Sequence, residues 1–197
     1  MARESGADLL AGGESDRRDF FRTTLGRLLK EVSERTERRV VPMPYFRPPG
    51  ALDEVAFIAA CTRCDECIRV CPAHAILKVP ASGGFAAGTP MIDPKTQPCT
   101  ACDEMLCADV CPTDALIRPP DIWHGYRMAV LELDPERCIA FGGVECGVCV
   151  RVCPVGDDAI SLDSEGRPVL KMEGCVGCGV CVRACVTAPS SLSLDFR

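Results

Sequence analysis

The chain has 197 residues, with 22 Lys and Arg against 28 Asp and Glu, a formal net charge of −6. Seven Phe, two Tyr and one Trp are thin for a conventional core of this size, whereas cysteine is abundant at sixteen. The acidic balance argues against a basic phosphate-binding face and so against nucleic acid, and no apolar run reaches the roughly 20 residues that span a bilayer.

The charge is uneven. Residues 1–50 carry ten Lys and Arg against eight Asp and Glu, net +2; residues 51–197 carry the other twelve against twenty, net −8. Residues 1–15 read as loose, small and polar. Over 17–39, Phe21, Leu25, Leu28, Leu29 and Val32 fall on one stripe of a helix, with Arg22, Arg27, Lys30, Glu31, Glu34, Arg35 and Glu37 around it. The start of that helix, Arg17-Arg18-Asp19-Phe20-Phe21-Arg22, has the form of a twin-arginine export signal. Arg27, Lys30 and Glu31 interrupt the apolar stretch that should follow, so the expectation is a retained amphipathic helix. Its stripe could pack on the body of the protein or dock on a partner or membrane surface. Pro42, Pro44, Pro48 and Pro49 read as an extended linker. The domains expected are therefore 1–50, helix and Pro-rich linker, and 51–197, the cysteine-bearing body.

The cysteines fall into four groups. The first is Cys61-x2-Cys64-x2-Cys67-x3-Cys71-Pro72, and the second is Cys99-x2-Cys102-x4-Cys107-x3-Cys111-Pro112. The third is Cys138-x7-Cys146-x2-Cys149-x3-Cys153-Pro154, and the fourth is Cys175-x2-Cys178-x2-Cys181-x3-Cys185-Val186. Three cysteines on a tight loop wrap one corner of a cubane, and a helical turn points the next thiolate away, toward a second cluster. The following proline fixes the turn and offers no amide donor. Zinc would account for paired Cys-x2-Cys elements but not for the repeated Cys-x3-Cys-Pro ending. Disulfides would need an oxidising compartment and a different geometry. All sixteen cysteines are thus candidate iron ligands of four [4Fe–4S] clusters. Each oxidised cluster with its thiolates adds about −2, which makes the body more acidic and favours a positively fringed protein partner.

Short apolar segments accompany the motifs: Ala75–Val79, Ala115–Ile117, Ala129–Leu133, Ala159–Leu162 and Leu192–Leu194. Short strands with helical turns in a four-fold repeat give an α+β fold, two ferredoxin-like dicluster units in tandem or nested, behind an N-terminal helical extension. Ser82–Pro90 reads as a flexible surface loop without a phosphate-binding pattern, so no nucleotide site is expected. Within the third motif, Gly142-Gly143 turns the chain so that Cys138 returns to its cluster. His74 follows Cys71-Pro72 but every ligand position is already filled; His124 sits in a loop with Trp123 and Tyr126, which read as anchors of a satellite core ahead of the alternative, partner contacts. With every cysteine committed, no catalytic set is visible.

These unequal gaps, together with Arg47-Pro48-Pro49-Gly50-Ala51 before Ala56-Phe57 and the proline-less Cys185-Val186, resemble the NapG/MauM-type ferredoxins over roughly residues 45–185. The resemblance implies four [4Fe–4S] clusters on the sixteen cysteines. It also implies a non-catalytic electron-transfer role between a quinol-linked membrane donor and a partner oxidoreductase. An assembly or maturation factor for a redox enzyme is the alternative. Members of that family resemble exported twin-arginine substrates; the interrupted apolar stretch here points instead to a cytoplasmic protein, peripheral at the membrane.

The crossing cysteines demand that motifs pair. Pairing can be sequential, first with second and third with fourth, or nested, first with fourth and second with third. The second motif resembles that of nested four-cluster subunits in molybdenum reductases, so nesting is expected. It would join Cys185 to Cys61, Cys64 and Cys67, and Cys71 to Cys175, Cys178 and Cys181. Cys153 would join Cys99, Cys102 and Cys107, and Cys111 would join Cys138, Cys146 and Cys149.

Overall fold

The computed structural model describes residues 45–120, 123 and 126–195. The expected helix at 17–39 and His124 lie outside the described residues. Residues Met43–Arg197 form one compact unit.

Every regular element is short. The helices are α1 (Glu54–Ala60), α2 (Glu66–Val70), α3 (Leu106–Asp109), α4 (Val148–Arg151) and α5 (Val180–Ala184). The strands are β1 (Ile76–Lys78), β2 (Pro90–Ile92), β3 (Val130–Leu133), β4 (Ile160–Leu162), β5 (Pro168–Leu170) and β6 (Leu192–Asp195). Helices α2 to α5 are the turns inside the Cys-x3-Cys segments, and each begins from a left-handed residue: Asp65, Met105, Gly147 or Gly179.

The strands pair as three antiparallel ribbons, β1 with β2, β4 with β5, and β3 with β6. In the second half, β4–β5 is a hairpin between motifs three and four, while β3, before motif three, pairs with β6, after motif four, from Val130↔Asp195 to Leu133↔Leu192. The first half repeats this plan in reduced form. β1–β2 lies between motifs one and two, with Ile76 opposite Ile92. Its outer ribbon shrinks to a single bridge, Ala51↔Leu116. Ala115–Ile117, expected as a strand, is thus no more than that bridge. Gly50 sets its edge: at φ +83 a Cβ there would lie 2.4 Å from the Ile117 carbonyl oxygen.

Residues 45–50, expected as the end of an extended linker, are packed into the body instead. Phe46 is 3% exposed, and its carbonyl accepts from the Ile92 N–H at 2.7 Å, so the segment flanks β2. Arg47 anchors it. Its guanidinium holds Glu54 through Nε at 2.8 Å and Nη2 at 2.5 Å, and Nη1 donates to Thr89 Oγ1 and the Pro90 carbonyl. It also lies 4.7 Å over the ring of Phe57. Arg47→Met should lower stability by about 3 kcal/mol, because Glu54 loses its partner in a largely enclosed site. The check is the urea midpoint followed by circular dichroism.

The 82–90 segment is ordered by its neighbours. Residues Ala81–Ala86 form a kinked 3₁₀ turn, and Arg63 from the first ligand loop donates to the carbonyls of Phe85 and Ala87. Trp123 and Tyr126 pack edge-on at 6.3 Å against the first core. Trp123 Nε1 donates to the Cys102 carbonyl, and Tyr126 Oη accepts from the Gly50 N–H. They are the satellite anchors expected from the sequence.

Candidate metal centres

The ligand loops curl because several of their residues are left-handed. Arg63 (φ 60) and Asp65 (φ 67) alternate with Cys61, Cys64 and Cys67, and Ala101 (φ 47) and Met105 (φ 46) do the same in the second loop. In the fourth loop Gly177 (φ +70) and Gly179 (φ +89) take these places. A Cβ on Gly177 would lie 2.2 Å from the Ala129 carbonyl oxygen, beside the bond from the Met128 N–H to the Val176 carbonyl. Gly177→Ala is therefore expected to displace the loop and cost one whole cluster, leaving about twelve irons of sixteen, as iron analysis would read.

Each loop, with one cysteine from elsewhere, lines a hollow of about 320 to 390 Å³ outside protein atoms, mouths included. The first quartet is Cys61, Cys64, Cys67 and Cys111. The second is Cys99, Cys102, Cys107 and Cys71. The third is Cys138, Cys146, Cys149 and Cys185. The fourth is Cys175, Cys178, Cys181 and Cys153.

The nested arrangement is overturned. Cys185 joins the third loop, not the first; Cys71 joins the second, Cys153 the fourth and Cys111 the first. The ribbons explain why. The bridge Ala51↔Leu116 closes the first two motifs into one unit, and β3–β6 closes the last two into another. A cysteine at the end of its helical turn can reach only the hollow inside its own closed unit. The long third motif behaves as expected: the Phe141 N–H bonds the Cys138 carbonyl at 3.0 Å, and the intervening loop turns out through Gly143. His74 is exposed on the exit turn and lines none of the four hollows.

The donor chemistry fits a multi-iron group. The hollows are walled by apolar side chains, Phe57, Ile68 and Leu116 in the first and Leu131, Ile160 and Val176 in the fourth, and among the described residues Arg63 is the only cationic one lining them. Burial pushes the thiols of Cys67, Cys99 and Cys107 up to about 12 and that of Cys178 to about 11, the neighbouring thiols adding to the rise. Four such thiols become thiolates together only against positive charge placed between them, which iron supplies. The quartets surround a space instead of converging on a point: among the described residues no three His, Cys, Asp or Glu close on a single ion. A hollow lined by four cysteines suits a cluster.

Sulfurs also accept hydrogen bonds. The Ala75 N–H reaches Cys71 Sγ, the Ala101 N–H reaches Cys99 Sγ and the Leu116 N–H reaches Cys111 Sγ, each at 3.4 Å. Thr187 and Ser191, which sequence reasoning did not single out, place hydroxyls 3.2 and 3.3 Å from Cys185 Sγ. The available signal was Thr187 two residues past its cysteine, as Thr113 is past Cys111.

The quartets form a row. Cys67 of the first lies within electrostatic range of Cys107 of the second. Cys99 of the second neighbours Cys178 of the fourth, and both belong to one apolar core with Val176. Cys181 of the fourth neighbours Cys149 of the third. Arg183 ties the junction by donating to the Thr96 carbonyl, and Gly179 fits against Pro94. The spatial order is first, second, fourth, third.

Residues 60–115 and 130–186 each match the 4Fe–4S dicluster domain, together more than half of the chain. The chain belongs to the 4Fe–4S dicluster ferredoxins. Two dicluster domains carry four [4Fe–4S] clusters. The ferredoxin-type protein NapG of Escherichia coli is 41% identical over 121 residues, 61% of this chain and 52% of its own length. The methylamine utilization ferredoxin-type protein MauM of Paracoccus denitrificans is 40% identical over 129 residues, 64% of this chain and 58% of its own. NapG of Haemophilus influenzae is 39% identical over 133 residues, 66% and 47%. The dicluster ferredoxin described here thus spans about half the length of these curated relatives. Among its described residues no helix is long and apolar enough to cross a membrane.

Proposed function

We propose that this ferredoxin is a non-catalytic relay whose sixteen cysteines hold four clusters in the quartets given above. Electrons enter at one end of the row and leave at the other. The observation that carries this reading is the unbroken succession of quartets, each sharing apolar packing with the next. When bound, each cluster supplies one-electron redox chemistry at thiolate-ligated iron. The protein's part is to fix neighbouring thiols, keep water from the buried ones with Phe57, Met105, Ile160 and Val176, and aim N–H and O–H donors at sulfur. The donor we propose is a quinol-linked membrane protein, and the acceptor is a partner oxidoreductase, as for the family it resembles.

The test has two stages. Anaerobically reconstituted chain should hold about sixteen irons with equal sulfide; zinc in their place would overturn the assignment. The loaded protein, added to membranes that supply quinol and to a mature partner reductase, should restore turnover. A reductase that needs the chain only while it is being assembled would instead make it a maturation factor.

A further inference from the structure

The crossing cysteines are not treated alike. Cys71 and Cys111 are each followed by proline, Pro72 and Pro112, and each sulfur takes a backbone N–H four or five residues on, from Ala75 and Leu116 at 3.4 Å. Cys185 is followed by Val186, and four residues on stands Pro189, which has no N–H to give. Two hydroxyls stand in for the missing amide. Thr187 Oγ1 is 3.2 Å and Ser191 Oγ 3.3 Å from Cys185 Sγ. The Ser191 N–H donates to Thr187 Oγ1 at 2.9 Å, which occupies an acceptor site on that oxygen and leaves its own hydrogen for the sulfur. Ser191 is 4% exposed, so water does not compete for its hydroxyl. Among the other crossing cysteines the nearest comparable group is Thr113 Oγ1, 3.9 Å from Cys111.

We infer that Thr187 and Ser191 are positioning residues that give the third quartet the highest reduction potential of the four and so make it the electron sink at its end of the row. This rests on the ligand assignment proposed above. The physical reason is charge. Adding one electron to a thiolate-bound cluster makes it more negative by one unit, with no bond made or broken. O–H donors aimed at Cys185 Sγ favour the more negative state, and they do so most where solvent is excluded. Because the third quartet is last in the row, an electron that settles there leaves only to an outside partner.

The experiment is a redox titration of the reconstituted full chain with dithionite as reductant, followed by electron paramagnetic resonance, on wild type, Ser191→Ala, Thr187→Val and Thr187→Ser. The highest of the four midpoints should fall in Ser191→Ala and in Thr187→Val. With both changed, the expected shift is a tenfold change in the oxidised-to-reduced ratio at fixed potential, about 59 mV for one electron. Thr187→Ser, which keeps the hydroxyl, should hold the wild-type value, and the other three midpoints should not move. Four unchanged midpoints in the double variant, or a shift confined to a midpoint that is not the highest, overturns the inference. Loss of one cluster from Ser191→Ala also overturns it, since the hydroxyl would then support the fold and not the potential. Wild-type iron well below sixteen would show that the ligand assignment itself had failed, and the inference with it.

Discussion

Removing iron with a chelator under reducing conditions is expected to unfold the body of the protein, with loss of most far-ultraviolet circular dichroism and of amide protection throughout β1 to β6. The elements cannot stand alone. Helices of four to seven residues are far below the roughly 12–15 at which an isolated helix becomes marginal. The ribbons pair only three or four residues on each side. Both apolar cores are built partly of quartet cysteines: Cys67, Cys99, Cys107 and Cys178 in one, and Cys149, Cys175 and Cys181 in the other. Arg63, Asp65, Ala101 and Met105 are held left-handed, each at a cost of order 1–2 kcal/mol. Without metal these loops relax, the thiols face an apolar space, and the cores lose their centre. Metal binding is then folding free energy. The check is to restore iron and sulfide anaerobically and recover the spectrum. A metal-free chain that kept a cooperative thermal transition and protected amides would show that the polypeptide carries its own core.

The cluster content was legible in the sequence, because dicluster motifs are written in local spacing. Cys-x2-Cys-x2-Cys-x3-Cys fixes a loop and one helical turn, and α2, α3, α4 and α5 lie where those turns were expected. Four of the five expected strand segments are present as β1, β3, β4 and β6. What spacing could not fix was which motifs share a unit. That depends on pairings between residues 65 apart, such as Ala51 with Leu116 and Val130 with Asp195, and nothing local encodes them. The missed strands, β2 and β5, begin at Pro90 and Pro168 and contain only three residues. Proline at a strand's first position reads as a breaker from the sequence, although it is tolerated there. Residues 45–50 misread for a related reason. Prolines suggest a linker, but Arg47 finds Glu54, Thr89 and Pro90, partners up to 43 residues away. The hydroxyls on Cys185 were missed because Thr and Ser in a polar tail carry no pattern until the chain folds back on the cysteine.

The sequential pairing makes a prediction that a double substitution isolates. Cys61→Ala and Cys111→Ala remove thiols from the same quartet, so combining them should damage only the cluster each damages alone. Three intact clusters are expected in each single variant and in the double. Cys138→Ala with Cys185→Ala should behave likewise for the third quartet. In the nested arrangement Cys61 and Cys111 would serve different clusters, and so would Cys138 and Cys185; each double variant would then keep two. The converse pair sharpens the test. Cys67→Ala with Cys71→Ala joins neighbours in sequence that belong to different quartets, so it should reduce four intact clusters to two. Non-additivity between residues that share a partner, and additivity between those that do not, is the logic of a double-mutant cycle. Counting intact [4Fe–4S] signals is preferable to iron alone, because three remaining thiolates could still retain part of a cluster. The fold supports the comparison: the ribbons β1–β2, β4–β5 and β3–β6 contain none of the substituted residues, so the damaged quartet can empty while the other unit keeps its clusters. Two intact clusters in Cys61→Ala with Cys111→Ala would overturn the sequential assignment, and three in Cys67→Ala with Cys71→Ala would overturn the crossing of the fourth cysteine itself.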